Sequence, residues 1–152
     1  MLALIRPDSW NFPLFLHVLG AMALVGCLVT AALAVVLGWR RDTAAWTRVA
    51  FRTLVLGGLP SYIVMRIGAQ WVYSKEGFDG KDDPAWLGVG YITADAGAVL
   101  LLITILLTGL AVRRLRRAEL ETSALGRVGG AITLILVVAY VVAIWAMTTK
   151  PA

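Results

Sequence analysis

The sequence predicts an all-α, polytopic membrane protein, a four-transmembrane-helix bundle with both termini outside. Three observations carry this. Of 152 residues, 60% are hydrophobic and mean hydropathy is +0.83, whereas soluble domains hold about 45–50% apolar residues. The apolar residues fall into four runs, each suited to the roughly 20-residue helix that crosses a bilayer. The arginines gather in two short segments between these runs, while the segment between the second and third runs is net acidic.

The first span is expected at about 12–39. Pro13 suits the first turn of a helix, and Trp10 and Phe12 fit an interfacial belt. Ala21-Met22-Ala23 resembles a signal-peptide cleavage site, but the apolar run continues to about Trp39. That is too long for a signal peptide's apolar core, so the run is expected to remain as a span. Its Gly20, Ala21, Ala23, Gly26, Ala31, Ala32 and Ala34 allow close helix approach in lipid.

The second span is expected at about 49–73. Pro60, following Gly57-Gly58-Leu59, removes a helical hydrogen bond, which predicts a kink. The polar stretch 74–90, punctuated by Gly77, Gly80 and Pro84, reads as an exposed loop with Trp86 near the interface. The third span, about 91–112, runs into Arg113-Arg114-Leu115-Arg116-Arg117. The fourth is expected at about 128–148, after a polar, helical connection through Glu119 and Glu121. Arg40, Arg41, Arg48 and Arg52 flank the second span on one side, and Arg113, Arg114, Arg116, Arg117 and Arg127 separate the third from the fourth. By the positive-inside rule both clusters are cytoplasmic, so the termini and the acidic segment lie outside.

Polar side chains inside such spans need partners or water. From the expected span ends, His17, Arg66, Gln70, Asp95 and Tyr140 lie roughly 8, 10, 5, 6 and 10 Å below the outer surface, at a rise of ~1.5 Å per residue. They share one outer layer. Tyr62, Arg66, Gln70 and Tyr73 follow i, i+4, i+8 and i+11, one stripe of a helix. Tyr91 and Asp95 share a face, as do His17, Gly20, Ala21 and Leu24. Gly126, Thr133, Tyr140 and Met147 recur every seven residues, a seam facing other helices. The natural pairing is Arg66 with Asp95, since each costs several kcal/mol alone in lipid and together they cancel net charge. Two readings stand open: an ion pair that fixes packing, or a small polar pocket, open to the outside, that binds a ligand or relays protons.

His17 is the single histidine. It could ligate haem, bind a quinone oxygen or shuttle protons, or simply hydrogen-bond to a neighbour. Met22, Met65 and Met147 show no copper-site spacing to it. Cys27, the single cysteine, excludes an intrachain disulfide and reads as a small apolar residue in a helix contact. Thr30, Thr104 and Thr108 are expected to bond back to their own helices. No nucleotide-binding glycine motif, catalytic triad or zinc motif is present, so no residue is assigned a catalytic role. The net charge of +5 resides in the topology segments and does not point to nucleic acid.

The stretch Leu16-His17-Val18-Leu19-Gly20-Ala21-Met22-Ala23-Leu24-Val25-Gly26 resembles the opening of small bacterial integral-membrane proteins of unknown function, distantly like the copper-resistance D family. It is also similar to the opening of the haem-carrying protoporphyrinogen oxidases of bacteria. The resemblance implies a bacterial inner (cytoplasmic) membrane location and one residue role, His17 as a haem or metal ligand. The lysine those oxidases are expected to carry in a later span is missing here, and copper-handling relatives would show more His and Met. The functional expectations are three. The outer-layer residues form a pocket for haem, quinone or a small anion. Alternatively, the chain is a small transporter or channel subunit gated by Arg66 and Asp95, or a structural accessory subunit of a larger membrane complex. The lipid bilayer is the expected partner, with a homo-oligomer or membrane complex as the assembly.

Overall fold

A computed structural model describes residues 11–38, 43–76, 85–118 and 124–149, and all of these are helical. Helix α1 spans Asn11–Gly38, α2 Thr43–Thr53, α3 Leu59–Glu76, α4 Ala85–Ala118 and α5 Ala124–Thr149. A π-helical segment, Leu54–Gly58, joins α2 to α3 without a break in helical backbone. Three of the helical segments among the described residues are long and apolar enough to cross a membrane: Asn11–Gly38, Leu87–Leu115 and Ala124–Thr149. The protein is therefore helical and of membrane type.

A π segment stands just before Pro60, where the sequence leads one to expect a kink. Proline has no N–H to give, and its ring collides with the carbonyl four residues back. Here the chain widens just before it, and the Leu59 N–H reaches back five residues to the Leu54 carbonyl. Glycines at 57 and 58 ease the change. The stretch 74–90, expected to be a loop, is helical at both ends. α3 continues to Glu76 and α4 begins at Ala85. The connection through Glu119 and Glu121, together with Trp10, Trp39, Arg40, Arg41 and the Trp86 side chain, lies outside the described residues.

Two antiparallel helix pairs make up the structure. α1 packs along α3, and α4 along α5, and these are the most extensive contacts. In the first pair the backbones nearly touch. A methyl group built on Gly68 would come within 2.5 Å of the His17 backbone nitrogen, and one on Gly20 within 2.5 Å of the Met65 nitrogen. One turn of each helix thus supplies a glycine to receive the other's backbone, the close approach that replaces hydrophobic driving force in lipid. Cys27 continues this seam, its Sγ resting on Gly57. At the end beyond Gly68 the Phe12 and Trp71 rings meet edge to face, centroids 6.1 Å apart.

In the second pair, the seven-residue seam of α5 meets one on α4. Gly126 faces Ala111, Tyr140 faces Gly97 and Met147 faces Gly90. Gly126, Thr133 and Tyr140 are all buried. The large α5 side chains thus stand over α4 glycines at one end, and small residues meet at the other. Thr104, Thr108 and Thr133 are also buried, and each bonds to a carbonyl one turn back in its own helix. Thr30, on an exposed face, does the same.

The two pairs join at the end that carries Arg48, Arg52, Arg113, Arg114 and Arg127. There Val35 of α1 packs on Gly130, Thr47 on Gly126 and Phe51 on Gly109. Leu28, Leu54, Leu101 and Leu136 fill the middle, each 2% exposed or less. Toward the opposite end the pairs diverge, and α3 and α4 scarcely pack.

Gly68→Ala is expected to destabilise the protein by about 1–3 kcal/mol, the usual cost of overpacking, because backbone cannot retreat from the added methyl. Gly90→Ala meets only the flexible tip of Met147, and is expected to stay within ~0.5 kcal/mol of wild type. Thermal unfolding of both variants in one detergent, followed by circular dichroism, checks the contrast.

Candidate functional site

Divergence of the helix pairs leaves a cavity of about 450 Å³ between α1, α3, α4 and α5. That lies within the size range of small-molecule sites. Its walls are mainly apolar: Leu14, Ala21, Val25, Ala69, Val72, Leu87, Ala94, Ala143 and Met147 among others. Three of the sequence-predicted residues, His17, Arg66 and Tyr140, line it.

On the α3–α4 side, polar and aromatic groups bridge a gap that packing leaves open. The Arg66 Nη2 lies 2.8 Å from the Asp95 carboxylate, with the side chains 30% and 63% exposed. The same guanidinium stacks over the Tyr91 ring, 4.7 Å from its centroid, within cation–π range. The Tyr91 hydroxyl donates to Gln70 Oε1 at 3.4 Å. The Tyr73 ring meets the Tyr91 ring edge to face at 5.5 Å. Arg66 is therefore compensated from two sides. An aromatic face and a carboxylate take the place of part of the water that a guanidinium otherwise requires. The stripe Arg66, Gln70 and Tyr73 on α3 thus closes on Tyr91 and Asp95, which lie one turn apart on α4.

The opposite side is different. Of the cavity-lining residues, Val18 and Met22 on α1 and Ile144 on α5 are all exposed on the outside of the structure. This rim is mainly apolar, with Thr148 as its one exposed polar residue among the described lining residues.

His17 is oriented by its own helix crossing. The Gly68 contact brings α1 against α3, and the His17 Nδ1 lies 3.1 Å from the Met65 carbonyl oxygen. A carbonyl can only accept, so Nδ1 carries the proton and donates. In the neutral ring Nε2 then carries a lone pair. Tyr140 is 6% exposed, and its hydroxyl has no hydrogen-bond partner among the described residues. Its tip lies against Gly97, where the missing side chain makes room for it. A buried hydroxyl without a partner costs roughly 1–3 kcal/mol.

The five predicted residues therefore divide. Arg66, Asp95 and Gln70 belong to one bridged cluster, while His17, Arg66 and Tyr140 belong to the cavity wall. Arg66 is in both. Asp95 and Gln70 do not line the cavity. Tyr91, the hub of the cluster, and the Met65 carbonyl, which sets the histidine tautomer, are contacts of the candidate site that the reading of charged and polar side chains missed. Tyr91 had a legible signal, its place one turn before Asp95. The carbonyl had none. Among the described residues no group of three or more His, Cys, Asp or Glu side chains could hold a metal ion. No known protein family matches the chain, nor does any curated protein or solved structure.

Arg66→Gln and Asp95→Asn are each expected to destabilise by about 1–3 kcal/mol, since each leaves the partner charge uncompensated. The double variant should cost less than the sum of the two. Unfolding by denaturant in mixed micelles measures the coupling, and strictly additive effects would show that the two charges do not depend on each other.

Proposed function

We propose that this is an integral membrane protein with four crossings whose cavity binds a small, mainly apolar, uncharged ligand drawn from the bilayer. The observation that carries the reading is the cavity itself: apolar walls, a mainly apolar rim on the outside of the structure, and a few polar groups at its edge. That combination is the usual make-up of a small-molecule site.

The fourth crossing is the unbroken helix through α2, the π segment and α3. At ~1.5 Å per residue it is roughly 50 Å long, and it lies along α1 from Gly57 against Cys27 to Gly68 against His17. Its arginines lower its hydropathy, but Arg66 is compensated by Asp95 and Tyr91. The arginine-bearing end is cytoplasmic by the positive-inside rule. The cavity, the termini and the acidic segment then face outward, and in a bacterial cell this is the inner membrane.

Conduction is supported less well than binding. The cavity stops at Val25 and Tyr140, and beyond it the buried leucines fill the interior. An anionic ligand also lacks an anchor, because Asp95 already engages the Arg66 charge. A haem reading keeps one supporting feature. The Nδ1–H bond from His17 to the Met65 carbonyl is the arrangement that orients metal-bound imidazoles. His17 would hold the iron through Nε2. A second histidine ligand would have to come from another copy, in a homo-oligomer.

Two measurements test these readings. A solvent extract of protein purified from native membranes is expected to contain a non-phospholipid compound near one per chain, severalfold reduced in Ala143→Phe, which fills the cavity. Equal amounts in both proteins would overturn the binding reading, and a Soret band abolished by His17→Ala would identify the ligand as haem. For topology, cysteines placed at Lys75 and Arg127 in a Cys27→Ala background are expected to react with a membrane-impermeant maleimide from outside and only after permeabilisation, respectively.

A further inference from the structure

We infer that the cavity ligand is a hydroquinone, an aromatic ring bearing para hydroxyls, bound in preference to its oxidised quinone. The inference rests on the ligand-binding reading of the cavity and gives that ligand a chemistry. His17 lines the cavity with Nδ1 committed to the Met65 carbonyl. The nitrogen left to meet a ligand is Nε2, an acceptor in the neutral ring. A hydroxyl can donate to it. A quinone carbonyl would instead set lone pair against lone pair, and lose both hydration and a hydrogen bond.

The Tyr140 hydroxyl can donate or accept, and it makes no hydrogen bond among the described residues. Its tip now rests against Gly97, and a rotation about the Cα–Cβ bond, lifting the tip off that glycine into the cavity the residue lines, gives the hydroxyl a ligand oxygen as partner. His17 and Tyr140 reach the cavity from different helices, α1 and α5. Between them the walls are apolar, with Ala21, Ala94 and Ala143 leaving room for a flat ring. The rim of Val18, Met22 and Ile144 suits an alkyl tail reaching into lipid. No charge is needed, which agrees with the engagement of Arg66 by Asp95.

The test uses the full chain in nanodiscs of quinone-free phosphatidylcholine, with a decyl-substituted benzoquinone and its hydroquinone as probes. Calorimetric titration, corrected with empty discs, is expected to show the hydroquinone binding about ten-fold tighter, the scale of one or two net hydrogen bonds. The midpoint of the bound couple then lies about 30 mV above that in empty discs, since tenfold in a two-electron couple is ~30 mV. His17→Phe should bring the two affinities together. Tyr140→Phe, which deletes only a hydroxyl that has no partner among the described residues, should keep the fold and weaken hydroquinone binding about five-fold. Ala143→Phe should abolish binding of both forms. Equal affinity of the two forms in the wild type, or an unchanged affinity in Tyr140→Phe, overturns the hydroquinone assignment. The cavity reading survives that result if the natively co-purified compound is still reduced in Ala143→Phe.

Discussion

The crossing of α1 and α3 at Gly20 and Gly68 is the constraint on which the rest depends. At this point each backbone lies where the other's β-carbon would be. In lipid, apolar surface gains little by leaving one apolar environment for another, so helices associate through close packing and polar contacts. The crossing supplies the first. It also sets the second, because it brings His17 to the Met65 carbonyl and holds the α3 stripe at a fixed angle to the other helix pair.

The second pair is built by a complementary rule. On α5 the seam residues grow from Gly126 through Thr133 to Tyr140 and Met147, while α4 offers Ala111, Gly97 and Gly90 against them. Where the pairs meet, small residues and aliphatic side chains bring all helices together. Where they part, α3 and α4 scarcely pack. The gap is bridged by Arg66, Tyr91 and Asp95 on one side and left open as a cavity within. The polar cluster is thus both a clamp and a wall. The Arg66–Asp95 pair bridges α3 and α4, and Arg66 alone of the two also lines the cavity.

Much of this was legible in the residues. Arg66 and Asp95 could be matched because two opposite charges in apolar runs have few alternatives, and their depth and faces agreed. The seven-residue seam on α5 was visible as periodicity, and Cys27 as a contact residue. The matching seam on α4 was harder to see. Gly90, Gly97 and Ala111 look like ordinary small residues until their partners are known. The helical ends of the stretch 74–90 were obscured by charged residues, which also suit the solvated ends of long helices. The π segment was reachable only as a disturbance near Pro60, since a kink and a widened turn relieve the same clash.

By itself the sequence determined a helical membrane-type chain, its apolar segments and the pairing of Arg66 with Asp95. These follow from local rules: composition, periodicity and the cost of an isolated charge in lipid. Only the tertiary structure decided that Asp95 and Gln70 stay out of the cavity lining, that Tyr91 is the hub of their cluster, that the buried Tyr140 hydroxyl has no partner among the described residues, and that His17 is held through Nδ1 to the Met65 carbonyl. Those are properties of how two helix pairs diverge. Divergence depends on which small residue meets which large one across an interface, and no single helix carries that information.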